Sequence, residues 1–365
     1  MAIIEKAPET MTSRRRVEKT LNFEKTDRVP IDYTTNPGVH ERVKQALGAP
    51  DDEALRRALG VDFRSVHAQY RGPNRFPVLP DRQTDPVYGF NMRWVENRSG
   101  GYWDFCDFPL QGADPETIAA FPVPSADEFD YTHLDGYIQA NRDYALYAGS
   151  AGMCDIINAT GRVMGMEDAL VNLLEEDEAT LCYVRRRVGM EIGILERILS
   201  RHASAISFVK IGEDLGTQIA PMISLRLFRR VFRPLMQQYV DLASSYRLPV
   251  MVHTCGSSSW AYEDFIEMGI RAVDTLQPEA AQMDPATLKA RFGGRLSFHG
   301  CISTAGPLAY GSPQEVNDVC RSTLEVMMPG GGYHFAPTHA IQDNTPTENV
   351  LAMYQAAHTY GRYQA

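Results

Sequence analysis

A histidine and a cysteine two residues apart close an apolar run in this chain. Leu248-Pro249-Val250-Met251-Val252 leads directly into His253-Thr254-Cys255-Gly256. In an extended strand residues i and i+2 point to the same side, so the imidazole and the thiol share a face. An imidazole beside a thiolate is a zinc-favouring donor pair. The competing reading is a buried thiol next to a hydrogen-bonded histidine, since free cysteine is among the most buried residue types. Further donors follow at corresponding places, Cys301 at the end of "LSFHGC" and His339 just past "YHFAP". One or both of these could join His253 and Cys255, and with one of them the set would be three protein ligands with a position open for a substrate atom. Against this stand a small thiol beside a glycine turn for Cys301 and a substrate-bonding loop histidine for His339. His299 shares a face with Cys301 by the same alternation and is assigned no role.

Acids stand at another strand end. In "KIGEDLGTQ", Glu213 and Asp214 could bind metal, accept a proton or hold a substrate cation, and proton transfer is the role assigned to them. A solvated loop is the alternative. Asn158 and Arg162 would suit a polar or anionic substrate group, and Tyr33 a pocket wall, as would the cluster Tyr102, Trp103 and Phe105. No GxGxxG follows a strand, and neither GxxxxGK[ST] nor GxSxG occurs, which removes dinucleotide, Walker-type nucleotide and serine-hydrolase readings.

Side chains at scattered strand ends need a scaffold that gathers them. From about residue 150 onward short β-like runs alternate with helical patterns: "AISFVKIGEDLG", "LPVMVHTCG", "IRAVDTLQP", "LSFHGCIS" and "GGYHFAP" each precede an amphipathic stretch. Asp284 followed by Pro285, and Ser312-Pro313-Gln314-Glu315, are helix entries. Adding residues 28–33, 61–70 and 153–161 gives eight candidate strands, which predicts a (β/α)₈ TIM barrel with its active site at the C-terminal rim. Residues 1–365 are read as one domain with an N-terminal extension. Residues 71–145 break the rhythm. They predict an insertion that roofs the barrel and contains a β-hairpin turning at Ser99-Gly100-Gly101.

Composition sets outer limits. The chain has 365 residues, 44% hydrophobic and 22% charged, which is ordinary globular usage. A net charge of −10 argues against nucleic-acid partners and anionic membrane surfaces. No stretch approaches the roughly 20 apolar residues of a membrane span, and the Arg run near the start has no apolar segment after it. A cytoplasmic location is the resulting expectation. Six cysteines never form CxxC, so buried thiols or metal ligands are expected rather than disulfides.

At these residues the chain resembles the uroporphyrinogen decarboxylase superfamily. The likeness begins with "RRRVEKTLNFEKTDRVPIDY", continues through "LGTQIAPMISLRLFRRVFRPL" and closes with "GSPQEVNDVCRSTLEVMMPGGGYHFAPTHAIQDNTPTENVLAMYQAA", its most specific stretch. The resemblance implies a (β/α)₈ barrel and two kinds of activity, cofactor-free porphyrinogen decarboxylation and zinc-dependent methyl transfer involving corrinoid proteins or thiols. The decarboxylases carry an arginine-rich RQAGR segment after the "RVP" strand. The corresponding "RVPIDYTTNPGVHERV" has no such arginines. "HTCG" instead resembles the HxCG of the methyltransferases, which implies zinc on His253 and Cys255. Their third ligand comes from a cysteine in a segment like APGCG. Here "APTHAI" places His339 at that position, so His339 replaces the thiolate, Cys301 supplies it, or the site is weaker for zinc. Imidazole in place of thiolate makes a metal more electrophilic.

The expected function is therefore a zinc-dependent methyltransferase moving methyl between a small O-, N- or S-methylated substrate and a corrinoid protein or thiol. The corrinoid would be carried by a partner protein, and a homodimer is in keeping with the superfamily. The alternative is a metal-dependent lyase or decarboxylase of a small oxygenated acid, without corrinoid.

Overall fold

The computed structural model describes residues 2–97 and 100–363. Seven parallel strands form one curled sheet, in the spatial order of the sequence: β1 (Phe63–Val66), β2 (Ala145–Gly149), β3 (Ile206–Gly212), β4 (Val250–His253), β5 (Ile270–Leu276), β6 (Ser297–Ile302) and β7 (Tyr333–Pro337). Both faces of these strands are covered, which is why they read as apolar runs rather than alternating ones. From β6 to β7 every residue of both strands is buried.

The segment around Ile31, expected as a strand over 28–33, lies between β7 and β1. Phe335 N–H donates to Pro30 O (2.8 Å), Asp32 N–H to Phe335 O (3.0 Å) and Asp62 N–H to Ile31 O (2.9 Å). Pro30 has no N–H to give, so the pairing stays short. A buried charge cluster clamps this seam. Asp62 accepts from Arg16 Nη1 (2.5 Å), Arg28 Nη1 (2.6 Å) and the Ile31 amide (2.7 Å). Removing that carboxylate would strand two buried guanidinium groups, a loss of about 3–5 kcal/mol.

The expected strand over 153–161 is not formed. Asp155 accepts from the Asn158 amide and caps a helix over Ile156–Met164. The strand is Ala145–Gly149, at the end of the stretch read as an insertion. Residues 61–70 also divide. Phe63–Val66 joins the sheet, whereas Gln69–Tyr70 pairs antiparallel with Phe129–Asp130. The hairpin is present, with Asn91–Asn97 paired to Gly100–Cys106 and Trp94 packed edge-on against Trp103. Ser99 of its expected turn lies outside the described residues. The helix entries at Asp284 and Ser312 are as read, the second as a capping box with Glu315.

The core has two parts. Outside the sheet, strands pack against the returning helices. Inside, Phe63, Ala145, Phe208, Met251 and Ala272 meet Val17 and Leu21 of the helix Ser13–Leu21. This inner plug occupies the early residues of the strands, so the polar interior lies beyond it, toward the strand ends. Among the described residues no helix is long and apolar enough to cross a membrane.

Candidate metal centre

Register puts the reactive side chains in one row. Gly212 of β3 pairs with His253 of β4, His253 with Asp274 of β5, Asp274 with His299 of β6, and His299 with His334 of β7. Aligned positions of a parallel sheet point to the same side. Lys210, two residues before Gly212, shares that side. The row is therefore an interior ring of polar groups near the carboxyl ends of the strands, where barrel active sites lie.

His253 and Cys255 converge. Cys255 Sγ lies 3.4 Å from His253 Nε2, and Asp214 Oδ1 lies 3.9 Å from the same nitrogen. One donor atom from each of Asp214, His253 and Cys255 fits within a group whose members are all within 4.8 Å of one another. Asp214 comes from the loop after β3 and is held at both oxygens. Its Oδ1 accepts the Cys255 amide (2.8 Å) and its Oδ2 accepts Asn158 Nδ2 (2.9 Å). A nitrogen, a sulfur and an oxygen at this spacing, all half-buried, fit a zinc-type ion. Burial, and after it the Asp214 charge, push the Cys255 thiol up, so ligation would release a proton.

Behind His253 stands Asp274. His253 Nδ1 is 2.8 Å from Asp274 Oδ2, and Lys210 Nζ is 2.7 Å from the same oxygen. His299 Nδ1 makes an ion-pair contact of 2.6 Å with Asp274 Oδ1, not an aligned hydrogen bond, and its Nε2 reaches Asp32 Oδ2 at 3.1 Å. Burial alone would push the Asp274 carboxyl up, but Lys210, His299 and His253 hold it well below the ordinary carboxylate range. Burial likewise opposes charge on His299, and Asp274 overrides it, raising the imidazole to about 9.

The other assigned residues divide. Glu213 is buried, its carboxylate accepting the amides of Ile156 (2.7 Å) and Ile157 (3.2 Å) at a helix start. Burial, then the neighbouring Asp155, raise its pKa well above the usual value. Asp155 itself is raised to about 6 by burial, with Arg162 opposing and Asp214 adding to the rise. Arg162 is partly exposed, 3.6 Å from Asp155 and over the ring of Phe105 at 5.1 Å, so the hairpin reaches this side of the mouth. Tyr33 packs on His40 and Tyr354, and its hydroxyl accepts from Thr35. Burial pushes its phenol up to about 12.

Cys301 and His339 are not in the donor group. Gly300 (φ +110°) and Cys301 (φ +73°) break the strand alternation, so Cys301 does not share the face of His299. His299 faces the interior. The Cys301 thiol is buried in the outer core with Tyr333, close enough to Lys289 of an outer helix to feel its charge. His339 is exposed in the bend after β7. Asp32, Lys210 and Asp274, to which the sequence pattern assigned no role, do carry a sequence signal: each is a charged residue inside an apolar, β-like run.

The family model described as Uroporphyrinogen decarboxylase (URO-D) matches residues 164–360. Two curated relatives bear the name uroporphyrinogen decarboxylase. The protein from Methylibium petroleiphilum is 23% identical over 69% of this chain and 68% of its own length. The one from Methylococcus capsulatus is 23% identical over 74% of this chain and 75% of its own. Among solved structures, a methyltransferase from Methanosarcina mazei superposes with a TM-score of 0.65 at 17% identity, covering 95% of this chain and 98% of that one.

Proposed function

This chain belongs to the uroporphyrinogen decarboxylase family, and on that premise we propose that it is a zinc-dependent methyltransferase acting on a small methylated substrate. The observation that carries the reading is the convergence of Asp214, His253 and Cys255 at the ends of β3 and β4. In this reading those three residues hold the metal, and Asp214 takes the place expected for Cys301 or His339. Bound there, zinc would supply Lewis acidity toward the heteroatom that carries or receives the methyl group.

The chain's own residues provide the rest. Cys255 N–H and Asn158 fix Asp214, Asp274 fixes His253, and Arg162 with Phe105 borders the mouth. Porphyrinogen decarboxylation fits less well. Arg42, in the helix where the decarboxylases' arginines would be sought, is spent on the carbonyls of Asp343 and Thr345. The methyl acceptor or donor in this reading is a corrinoid held by a partner protein that docks at the barrel mouth, or a thiol.

Zinc content and methyl transfer test the proposal together. The wild type should purify with near-stoichiometric zinc and convert cob(I)alamin to methylcobalamin when offered O-, N- or S-methyl donors. His253→Ala and Cys255→Ala should lose both properties. A metal-free wild type, or unchanged turnover in both variants, would overturn it. A donor set with one thiolate and one carboxylate also suits a second reading, a metal-dependent lyase or decarboxylase of a small oxygenated acid without corrinoid. Carbon dioxide release without any cobalt spectral change would select that one.

A further inference from the structure

Three donors from three different strands meet one carboxylate beneath the proposed centre. Lys210 of β3, His253 of β4 and His299 of β6 all lie within 2.6–2.8 Å of Asp274 on β5. Stability alone is a weak reason for this arrangement. Burying an ion cluster costs desolvation energy, and well-packed apolar residues of similar volume often serve a fold as well or better. The three contacts are also unequal in use. Lys210 and His299 turn their nitrogens to acids in the interior, whereas His253 has a second nitrogen turned outward to Cys255 and Asp214.

We infer that Asp274 is the positioning residue of this centre, fixing His253 as the Nδ1–H tautomer with its Nε2 lone pair presented to Cys255 and Asp214. The inference deepens the metal reading above and rests on it for its functional meaning. The geometry supplies the argument. A carboxylate offers only acceptors, so the His253 nitrogen 2.8 Å away must be the one that carries hydrogen. In the neutral ring the other nitrogen is then the lone-pair donor that a metal needs. Lys210 and His299 keep Asp274 from turning away, one at each side of the carboxylate. His299 extends the chain to Asp32, whose backbone pairs with β7 and accepts Tyr354 Oη at 2.9 Å. The orientation of the ligand is thus tied to the seam where the sheet curls closed.

Two measurements test this. Long-range ¹H–¹⁵N spectra of the metal-free wild type should report His253 as the Nδ1–H tautomer, and an Nε2–H tautomer would overturn the inference. In a cobalt(II) titration Asp274→Asn should bind about 10–100-fold more weakly than wild type, with a diminished thiolate-to-cobalt band. The amide can offer its own N–H to Nδ1, so its His253 should switch to the Nε2–H form. Equal cobalt affinity in a folded Asp274→Asn protein would also overturn it. Should the wild type bind no cobalt, the metal reading falls and the tautomer alone decides the positioning role. Should Asp274→Asn fail to fold, Lys210→Met takes its place, and wild-type affinity there would count against the clamp.

Discussion

Asn158 donates its side-chain amide to Oδ2 of Asp214 at 2.9 Å, while the other oxygen of Asp214 takes the backbone amide of Cys255. One carboxylate therefore joins three stretches of chain: the helix after β2, the loop after β3 and the end of β4. Asn158→Ala should leave Asp214 free to rotate away from His253 and Cys255. Removing such an outer partner typically costs about 10–100-fold in metal affinity or activity. Zinc competition against a chromogenic chelator, with thermal unfolding as a control for folding, checks this. Unchanged affinity would mean that Asn158 serves only the helix it stands on.

The same residues show what a sequence discloses and what it conceals. His253 and Cys255 were legible because strand alternation is local, and two donors at that spacing need only one strand to meet. Asp214 was legible as a strand-end acid but not as their neighbour. Its place depends on the register of Gly212 against His253, which no single strand contains. Asp274 lay in plain view in "IRAVDTLQP", yet only the pairing of β5 with both β4 and β6 gives it its partners. Cys301 misled for a local reason. Two consecutive residues with positive φ turn its thiol to the outer layer, and alternation fails wherever the backbone leaves the extended region. The strand Ala145–Gly149 was hidden by its brevity and by the long irregular stretch before it.

A second prediction concerns acid stability at the seam between the two chain ends. His358 accepts the Ala7 amide at Nδ1 (3.3 Å) and faces Leu59 O with Nε2 (3.0 Å), an arrangement only the neutral ring satisfies. Burial, then the nearby Arg28, depress its pKa from 6.5 to about 4. Between those values the unfolded chain binds the proton and the folded one does not. The contribution is thus complete above pH 6.5 and lost as pH falls toward about 4. Its full size is about 3 kcal/mol at about 1.4 kcal/mol per pKa unit. His358→Gln keeps one donor and one acceptor but cannot titrate, so its urea midpoint should fall less steeply across that window. Parallel curves for variant and wild type would sink the assignment.

The last prediction concerns the glycine that follows Cys255. Gly256 has φ +68°, and a Cβ there would lie 2.3 Å from the carbonyl oxygen of Gly216. Gly216 is in turn so close that its own Cβ would meet the Ser257 amide at 2.3 Å. The loops after β3 and β4 are thus pressed backbone to backbone, joined by Ser257 N–H to Thr217 O at 2.8 Å. That contact holds together the two loops that carry Asp214 and Cys255, which are also joined by the Cys255 N–H to Asp214 Oδ1. Gly256→Ala carries about 1–3 kcal/mol of left-handed strain and a backbone collision besides. The loops must part, and zinc binding should be lost even where the protein remains folded. Gly330→Ala separates strain from collision, because its φ is +77° but nothing lies within 4 Å of the added carbon. It should lose a similar strain energy in thermal unfolding and retain wild-type zinc affinity. If Gly256→Ala also binds zinc normally, the spacing of the two loops does not govern the centre.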